Sequence, residues 1–543
     1  MNLTIDNLTI EVPSGTTVLQ AANSLGIHIP AMCCGEGRSS HPSCMVCMVK
    51  DLESGKMIPS CAMPVHNGMQ IQTHSPEIRE IRREALELLL SDHVGDCEAP
   101  CRLSCPAFMN IPLMNRLIAA GHFQEALNIV REEIALPLIL GYICPAPCEK
   151  ACHRRSVDEP VSICMLKRFT ASDNERRMKN LLPATHENGK KVAVIGSGPA
   201  GLSAGFYLRK MGYTVTIYER QDIPGGTLRY SIPEEKLPRR ALDAEIACLT
   251  AMGITMLTGQ EIYAKRFEEE IVPGHDAVIL ATGDPIENPL LPFTLPADPD
   301  GNLFNRKTCV TSRPGIFGCG SAINSQQMAV RSVAQGKLAA IETDLYLSGI
   351  KPKRIRSSFH SAISHLLPGE VEEYLKESLH GNRIQPHEGW LHGFTPEEAM
   401  LEAGRCLHCD CRKPVSCKLR ILSDEYQANR KRFSGPERKR LTKFIRHDLL
   451  VYEPEKCIKC GLCVEITAAY KEELGLTFIG RGFHVHIGVP LGNTLREGIA
   501  RSAFFCVEGC PTGALSFLDQ EEGVEYRARF RMTGKGWEKI GNY

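Results

Sequence analysis

The chain has 543 residues, 43% hydrophobic and 23% charged, with 63 basic and 63 acidic side chains and a formal net charge of +0. That length suggests roughly three to five domains of about 100–200 residues each. The balanced charge excludes a strongly basic binder of nucleic acid or anionic membrane, and two tryptophans with 6% aromatics offer no stacking platform for bases.

The departure from ordinary composition is 24 cysteines, most of them in tight clusters. Neighbours two or three residues apart bring thiolates close enough to share a metal centre, whereas a disulfide framework would spread them. The first 13 residues lack the basic start and apolar core of an export signal. The longest apolar run, residues 134–144, contains Pro137 and falls short of the ~20 residues that span a bilayer. These features predict a cytoplasmic metalloprotein with no membrane span.

In chain order, residues 3–5 and 8–12 alternate around Asp6-Asn7, which predicts a hairpin opening a first block over residues 1–75. A helix is expected over 77–90 after Pro76, with Ile78, Ile81, Ala85, Leu88 and Leu89 at helical spacing. It opens a helical block, 76–185, that holds two cysteine runs. Block 186–350 alternates strand and helix signals, from the apolar run 192–195 to a helical segment over 325–340. Block 351–450 is linker-like and contains Cys406–Cys417, and block 451–543 is again rich in cysteine. The fold class is multidomain, α/β and α+β.

Four cysteine constellations stand out. Cys33, Cys44, Cys47 and Cys61 are spaced C-x10-C-x2-C-x13-C; one close pair with two outlying cysteines in a β-rich block favours a two-iron cluster over a cube or zinc. Cys97, Cys101 and Cys105 recur at every fourth residue, and Cys144, Cys148 and Cys152 repeat that spacing, with Cys164 beyond. Neither run closes a cube alone, so the two must cooperate. Cys406, Cys409, Cys411 and Cys417 put four thiols in twelve residues, suited either to structural zinc or to a further four-iron cluster. Cys457, Cys460 and Cys463, with Cys510-Pro511 after 46 intervening residues, follow the ligand arithmetic of one ferredoxin-type cube. Thr467 occupies the position where a two-cluster ferredoxin would place another cysteine. The isolated Cys248, Cys309 and Cys319 read as ordinary small hydrophobes, and Cys34 and Cys506 have no evident role.

In block three, residues 191–195 form an apolar strand before Gly196-Ser197-Gly198-Pro199-Ala200-Gly201, a G-x-G-x-x-G that opens a helix. The glycines allow a tight turn and let a pyrophosphate approach helix N–H groups. Glu219 ends a second strand 18 residues after Gly201, where a carboxylate should meet an adenosine ribose.

These motifs carry a composite resemblance. The first constellation, with Ile29-Pro30 and Pro59-Ser60-Cys61-Ala62, resembles the N-terminal ferredoxin domain of the large iron–sulfur subunit of complex I and of [FeFe]-hydrogenases, which implies a β-grasp-like [2Fe-2S] domain. The second resembles the N-terminal helical module of the glutamate synthase small subunit and dihydropyrimidine dehydrogenase. That resemblance assigns Cys105, Cys144 and Cys148 to one [4Fe-4S] cluster, and Cys97, Cys101 and Cys152 to another. Cys164, three residues before the position of a glutamine ligand (here Lys167), completes the first set. His93, four residues before Cys97, is the candidate for the second. The segment Arg405-Cys-Leu-His-Cys is similar to the one closing many relatives of the glutamate synthase small subunit. Cys510-Pro-Thr-Gly-Ala-Leu and Gly480-Arg-Gly-Phe resemble the cluster domain of complex I and formate dehydrogenase subunits.

Block three resembles the FAD domain of the glutamate synthase small subunit, including Pro224-Gly-Gly226 and Tyr230-Ser-Ile-Pro233. The resemblance implies a Rossmann-like domain holding FAD through Gly196–Gly201, Glu219, Arg220, Gly226, Thr227, Gly283 and Gly320. Ser321 stands where relatives carry an aspartate. Relatives also insert a second dinucleotide domain, but here only 31 residues separate Gly283 from Gly315, and they contain six prolines and no glycine fingerprint. The NADPH site is therefore expected to be missing.

The implied cofactors are FAD, one two-iron cluster and three or four cubes, with zinc the alternative at Cys406–Cys417. The implied function is an electron-transfer subunit with no catalytic residues of its own. Its expected partners are an NADH- or NADPH-oxidising complex I-like flavoprotein, a hydrogenase or formate dehydrogenase catalytic subunit, and ferredoxin; a transhydrogenase-type or electron-bifurcating complex fits the same composite. Two other readings compete: a free-standing flavoenzyme whose pocket runs from Gly225-Gly226 to Lys236, and a zinc-rich scaffold with a vestigial flavin fold.

Overall fold

The structure is a computed structural model describing residues 1–35, 42–179, 181, 187–284, 303–325, 328–350, 359–363, 365–376, 378–435, 438–442, 450–517, 530–533 and 536–539. The chain forms two compact units. One comprises Met1–Ala99, Ser357–Lys376 and Cys409–Tyr543; the other comprises Pro100–Arg356 and Glu377–His408.

The first unit begins with the expected hairpin. Asn2–Ile5 pairs antiparallel with Leu8–Glu11, and Asp6 and Asn7 both take positive φ (46° and 70°), the two-residue turn whose twist suits its strands. A five-stranded sheet follows in the order Leu8–Glu11, Asn2–Ile5, Gln70–Gln72, Met48–Asp51, Met57–Pro59, with Asn2–Ile5 and Gln70–Gln72 parallel. Helix Val18–Ser24 starts on a capping box between Thr17 and Gln20 and buries Val18, Ala21 and Ala22 in the same core as Leu3, Ile5 and Ile71. This is the β-grasp arrangement.

Helix Pro76–Ser91 starts where expected, with the Ser75 hydroxyl accepting from the Ile78 N–H at 3.1 Å. Its buried face differs from the apolar spacing: Ile78, Arg82, Ala85, Leu86 and Leu90 point inward, while Leu88 is 52% exposed. The physical reason is Arg82. Its guanidinium donates to the Met48 carbonyl at 3.0 and 2.8 Å and to the Tyr426 hydroxyl at 3.1 Å. A cation satisfied this way takes a core position that hydropathy assigns to solvent.

In the C-terminal part of this unit, Leu450–Tyr452 pairs antiparallel with Leu515–Phe517. Between them lie helices Leu462–Ala469 and Ala503–Gly509 and a hairpin, Thr477–Ile479 with His486–Gly488. Their shared core includes Leu450, Ile466, Ile487, Val507 and Leu515, and Cys506 is part of that core.

The second unit carries the helical block and a parallel five-stranded sheet. The sheet runs Ile316–Gly318, Ala277–Leu280, Lys191–Ile195, Thr214–Tyr218, Thr255–Leu257. Helix Pro199–Lys210 follows the glycine loop, and the long helix Ala329–Leu347 packs against it. A Cβ at Gly336 would lie 2.2 Å from the Ala200 carbonyl oxygen, so the two helices touch backbone to backbone. Gln326 and Gln327, expected in that long helix, lie outside the described residues, as do 285–302 with five of the prolines. Beyond them, Phe304 bridges Thr311 and Val310 bridges Phe317. Among the described residues no helix is long and apolar enough to cross a membrane.

The helical block is joined to the sheet domain through polar links, those of Glu245 and Tyr207 buried. The Glu245 carboxylate accepts the backbone N–H groups of Leu138 and Ile139, at 3.0 and 2.9 Å, in the first turn of helix Pro137–Ile143. The Tyr207 hydroxyl donates to the Arg131 carbonyl at 3.2 Å, and Lys337 pairs with Glu133 at 2.6 Å.

Burial raises the Glu245 carboxyl to about 7 from an ordinary value of 4.5. Between those values the unfolded chain releases a proton that the folded chain keeps, so stability falls as pH rises; the loss is complete above 7 and amounts to about 3 kcal/mol. Glu245→Gln removes this titration. The melting temperature of the wild type relative to Glu245→Gln is therefore expected to be most favourable near pH 5 and to decline towards pH 8. An offset constant across that range in thermal melts contradicts the assignment.

Candidate redox centres

Cys33, Cys44, Cys47 and Cys61 come together in the ferredoxin core, each 3% exposed or less. Cys44 and Cys61 hydrogen-bond to Cys33, which lowers its pKa, and Cys61 likewise brings Cys47 down to about 7. The buried Ser60 hydroxyl donates to the Cys47 carbonyl at 2.7 Å and holds this loop to the last ligand position.

In the second unit, Cys105, Cys144, Cys148 and Cys164 converge. Cys164 hydrogen-bonds with both Cys144 and Cys148, and all four thiols act on the Lys167 ammonium. Lys167 is 3% exposed with Nζ 3.9 Å from Cys164 Sγ. Burial opposes its charge, yet the four thiols together raise its pKa. Sequence reading marked Lys167 only as a ligand position lost; the structure shows a cation facing the group of thiols.

The remaining expected ligands are distributed differently from their spacing. Cys152 faces Cys406 within the second unit, and burial raises its pKa. In the first unit, Cys97, Cys411 and Cys417 face one another. Cys409 acts on the buried Tyr374, and Cys101 is buried in helix Pro100–Ser104. His93 is held neutral, at about 4, by burial and by Lys456 and Arg430, and its ring meets the Lys456 backbone while Nδ1 has no partner.

Cys457, Cys460, Cys463 and Cys510 line one cavity with Tyr452, Ile487, Thr512 and Leu515. The Lys459 N–H donates to Cys457 Sγ at 3.3 Å, and the Thr512 hydroxyl lies 3.8 Å from Cys510 Sγ. Four soft donors around an otherwise apolar cavity suit a cluster, and N–H groups aimed at sulfur favour its anionic charge. Among the described residues no three His, Cys, Asp or Glu side chains gather as they would for one ion. A cube sets no such demand, since each thiolate binds its own iron.

At the flavin-type fold, Gly198 is the residue before helix Pro199–Lys210 and Ser197 is fully buried. The Ser197 N–H and hydroxyl donate to one Glu219 carboxylate oxygen, at 2.9 and 2.5 Å, and the other oxygen accepts the Gln221 N–H at 2.9 Å. Glu219 thus locks the loop, and the Ser197 hydroxyl in turn accepts the Gly225 N–H at 2.9 Å. A Cβ at Gly201 would sit 2.0 Å from the Gly196 carbonyl oxygen, whereas one at Gly198 meets nothing within 4 Å. That open approach at the start of a 12-residue helix fits a diphosphate. Gly226 and Thr227 stand where the next helix, Thr227–Tyr230, begins, and a Cβ at Gly226 would come 2.7 Å from Gly198 Cα. Gly283 follows the strand Ala277–Leu280, Gly320 abuts Ala200, and Arg220 is exposed.

Comparison with known proteins agrees with these modules. Residues 1–76 match the family described as a 2Fe-2S iron-sulfur cluster binding domain. Residues 90–179 match dihydropyrimidine dehydrogenase domain II with a 4Fe-4S cluster, and 167–336 match pyridine nucleotide-disulphide oxidoreductase. The chain is therefore a composite of iron–sulfur domains and a domain of the FAD-binding type. It is 37% identical over 207 residues to the NADP(+)-dependent formate dehydrogenase subunit beta of Moorella thermoacetica and 40% over 190 residues to the NADPH-Fe(3+) oxidoreductase subunit beta of Geobacter sulfurreducens. It is 39% identical over 189 residues to the NAD-dependent dihydropyrimidine dehydrogenase subunit PreT of Escherichia coli. Each match covers 34% of this chain, and the chain spans 29%, 28% and 46% of those relatives. A crystal structure of an NAD+-reducing [NiFe]-hydrogenase aligns over 97% of the chain, at a TM-score of 0.34 and 12% identity that decide nothing.

The two loop glycines separate fold from ligand. Gly198→Val is expected to keep the wild-type melting temperature while losing most of the extractable flavin, and Gly201→Ala to lower both. Wild-type flavin content in Gly198→Val contradicts a diphosphate path over this loop.

Proposed function

We propose that this chain is an electron-transfer subunit of a multisubunit oxidoreductase, of hydrogenase, formate dehydrogenase or transhydrogenase type. The observation that carries this reading is the convergence of three separate sets of four cysteines in a chain that also carries a fold of the FAD-binding type. Cys33, Cys44, Cys47 and Cys61 would hold a two-iron cluster. Cys105, Cys144, Cys148 and Cys164 would hold one cube, and Cys457, Cys460, Cys463 and Cys510 another. The Gly196–Gly201 loop, with Glu219 fixing its shape, would hold the FAD diphosphate. When bound, these groups supply single-electron transfer at the clusters and exchange between electron pairs and single electrons at the flavin.

The protein's own contribution is positional and electrostatic. Buried thiols would keep the centres dry, backbone N–H groups at sulfur would offset negative charge, and the Lys167 ammonium would favour the reduced form of the cluster held beside it. The 31 residues between Gly283 and Gly315 are too short for a second nucleotide domain. Electrons therefore enter and leave through protein partners, a nicotinamide-oxidising flavoprotein on one side and a second redox module or ferredoxin on the other.

The three centres named above account for about 10 atoms each of iron and sulfide per chain, and anaerobically purified protein is expected to contain about 14–18 if the three or four cubes expected from the sequence all form, together with FAD. It is not bleached by NADH or NADPH alone but is reduced once the partner flavoprotein is added. Dominant zinc without flavin selects the scaffold reading, and rapid direct bleaching selects the free-standing flavoenzyme. Lys167→Met is expected to shift the midpoint of one cube on the order of 100 mV more negative in an EPR-monitored titration, because a nearby unit charge is removed from a buried site. An unchanged potential contradicts its role.

A further inference from the structure

We propose a further iron–sulfur site in the first unit, formed by Cys97, Cys411 and Cys417 with His360 as its fourth ligand. The grouping extends the electron-transfer reading but rests on different residues.

The three thiols come from two segments far apart in the chain and are each 7–8% exposed. The backbones of two of them are joined directly, with the Cys411 N–H donating to the Cys97 carbonyl at 3.3 Å. A Cβ at Gly513 would lie 2.3 Å from Cys411 Sγ, so the residue facing this sulfur has room for nothing beyond hydrogen. Cys97 is clamped by the 359–361 segment: its N–H donates to the Ser361 carbonyl at 2.9 Å, and its sulfur accepts the Ser361 N–H at 3.3 Å. That segment is itself pinned, the Arg420 Nε donating to the Phe359 carbonyl at 3.1 Å and the Phe359 N–H to Asp424 at 2.7 Å.

His360 sits at the centre of this clamp, and both of its ring nitrogens are buried without a hydrogen-bond partner. A neutral imidazole has one donor and one acceptor, and leaving both unmet in the interior is costly enough to require an explanation. Its charged neighbours are Glu98, Arg420 and Arg430, and the two arginines also act on Cys97. A ring nitrogen freed for iron accounts for one of the two unmet positions, and three thiolates with one imidazole complete four ligands for a cube. Lys456 and Arg420 offset the added negative charge: Lys456 acts on Cys97 and Cys411, and Arg420 on Cys97. His93 is the competing imidazole, but its ring already engages the Lys456 backbone.

The site also abuts the C-terminal cavity. Lys456 precedes the cavity ligand Cys457, the Lys418 N–H donates to the Pro511 carbonyl at 2.8 Å, and Lys413 Nζ donates to the Cys510 carbonyl at 3.1 Å. An electron at either centre would have the other as its neighbour.

The test uses full-length protein purified anaerobically. Cys411→Ser combined with Cys417→Ser is expected to lose about four iron and four sulfide per chain, while the two-iron EPR signal and the FAD content stay at wild-type levels. With 15N-histidine labelling, the reduced wild type should show nitrogen coupling to a four-iron signal in pulsed EPR. That coupling should vanish in His360→Gln and persist in His93→Gln. His360→Cys, which restores a thiolate and guards against simple misfolding, should keep the wild-type iron content without the nitrogen coupling. Unchanged iron in the double cysteine variant, zinc at the site, or coupling that survives in His360→Gln overturns the proposal. Loss of the two-iron signal or of FAD with the cysteine pair intact would bear instead on the electron-transfer reading.

Discussion

Gathering cysteines that must ligate as thiolates concentrates negative charge where water cannot screen it, and the structure answers this constraint at two of the candidate centres. Around Cys105, Cys144, Cys148 and Cys164 the answer is Lys167, buried and facing sulfur. In the first unit it is Lys456, which is 3% exposed, pairs with Glu453 at 2.7 Å and acts on Cys411. A buried lysine is otherwise expensive. Here burial disfavours the ammonium and the neighbouring anionic groups outweigh it at both sites. Removing a thiol group therefore strands a cation as well as a ligand, which is why these positions tie stability to cofactor content.

In the first unit the candidate centres share one interior. Cys33 of the ferredoxin core acts on Cys460 of the C-terminal cavity, and Ile458 and Cys460 pack with that same core. Cys417 and Leu419 pack there too. One apolar interior thus reaches three thiol sets, so the separation between them is filled by packed protein rather than solvent. A low-dielectric wall of this kind would keep the potential of each centre under the control of its own neighbouring charges.

Local rules made much of this legible. The Asp6-Asn7 hairpin, the Ser75-capped helix, the parallel strands around Gly196–Gly201 and the Cys457–Cys463 run all depend on residues near one another in the chain. What escaped was tertiary. Arg82 reads as a solvent-facing residue until Met48 and Tyr426 are seen to accept its hydrogen bonds. Cys406, Cys409, Cys411 and Cys417 look like one site because they fall within twelve residues. Folding instead sets Cys411 and Cys417 against Cys97, more than 300 residues away. His360 belongs to no motif, and only its two unpartnered nitrogens mark it.

The second unit shows how a helical iron–sulfur module is held to a flavin-type fold. Apolar packing alone would let short helices slide, because one leucine contact resembles the next. The links found here are directional instead: Glu245 reaches two N–H groups at the start of helix Pro137–Ile143, and Tyr207 donates to the Arg131 carbonyl at the end of Phe123–Glu133. The first of these helices runs straight into Cys144, so the carboxylate that fixes the helix start also fixes the height at which that thiol meets Cys164. Buried hydrogen bonds contribute only about 1 kcal/mol each when made but cost more when left unmade. A shift of one residue along the helix would leave Glu245 without its partners, and that penalty holds the register on which the whole thiol set depends.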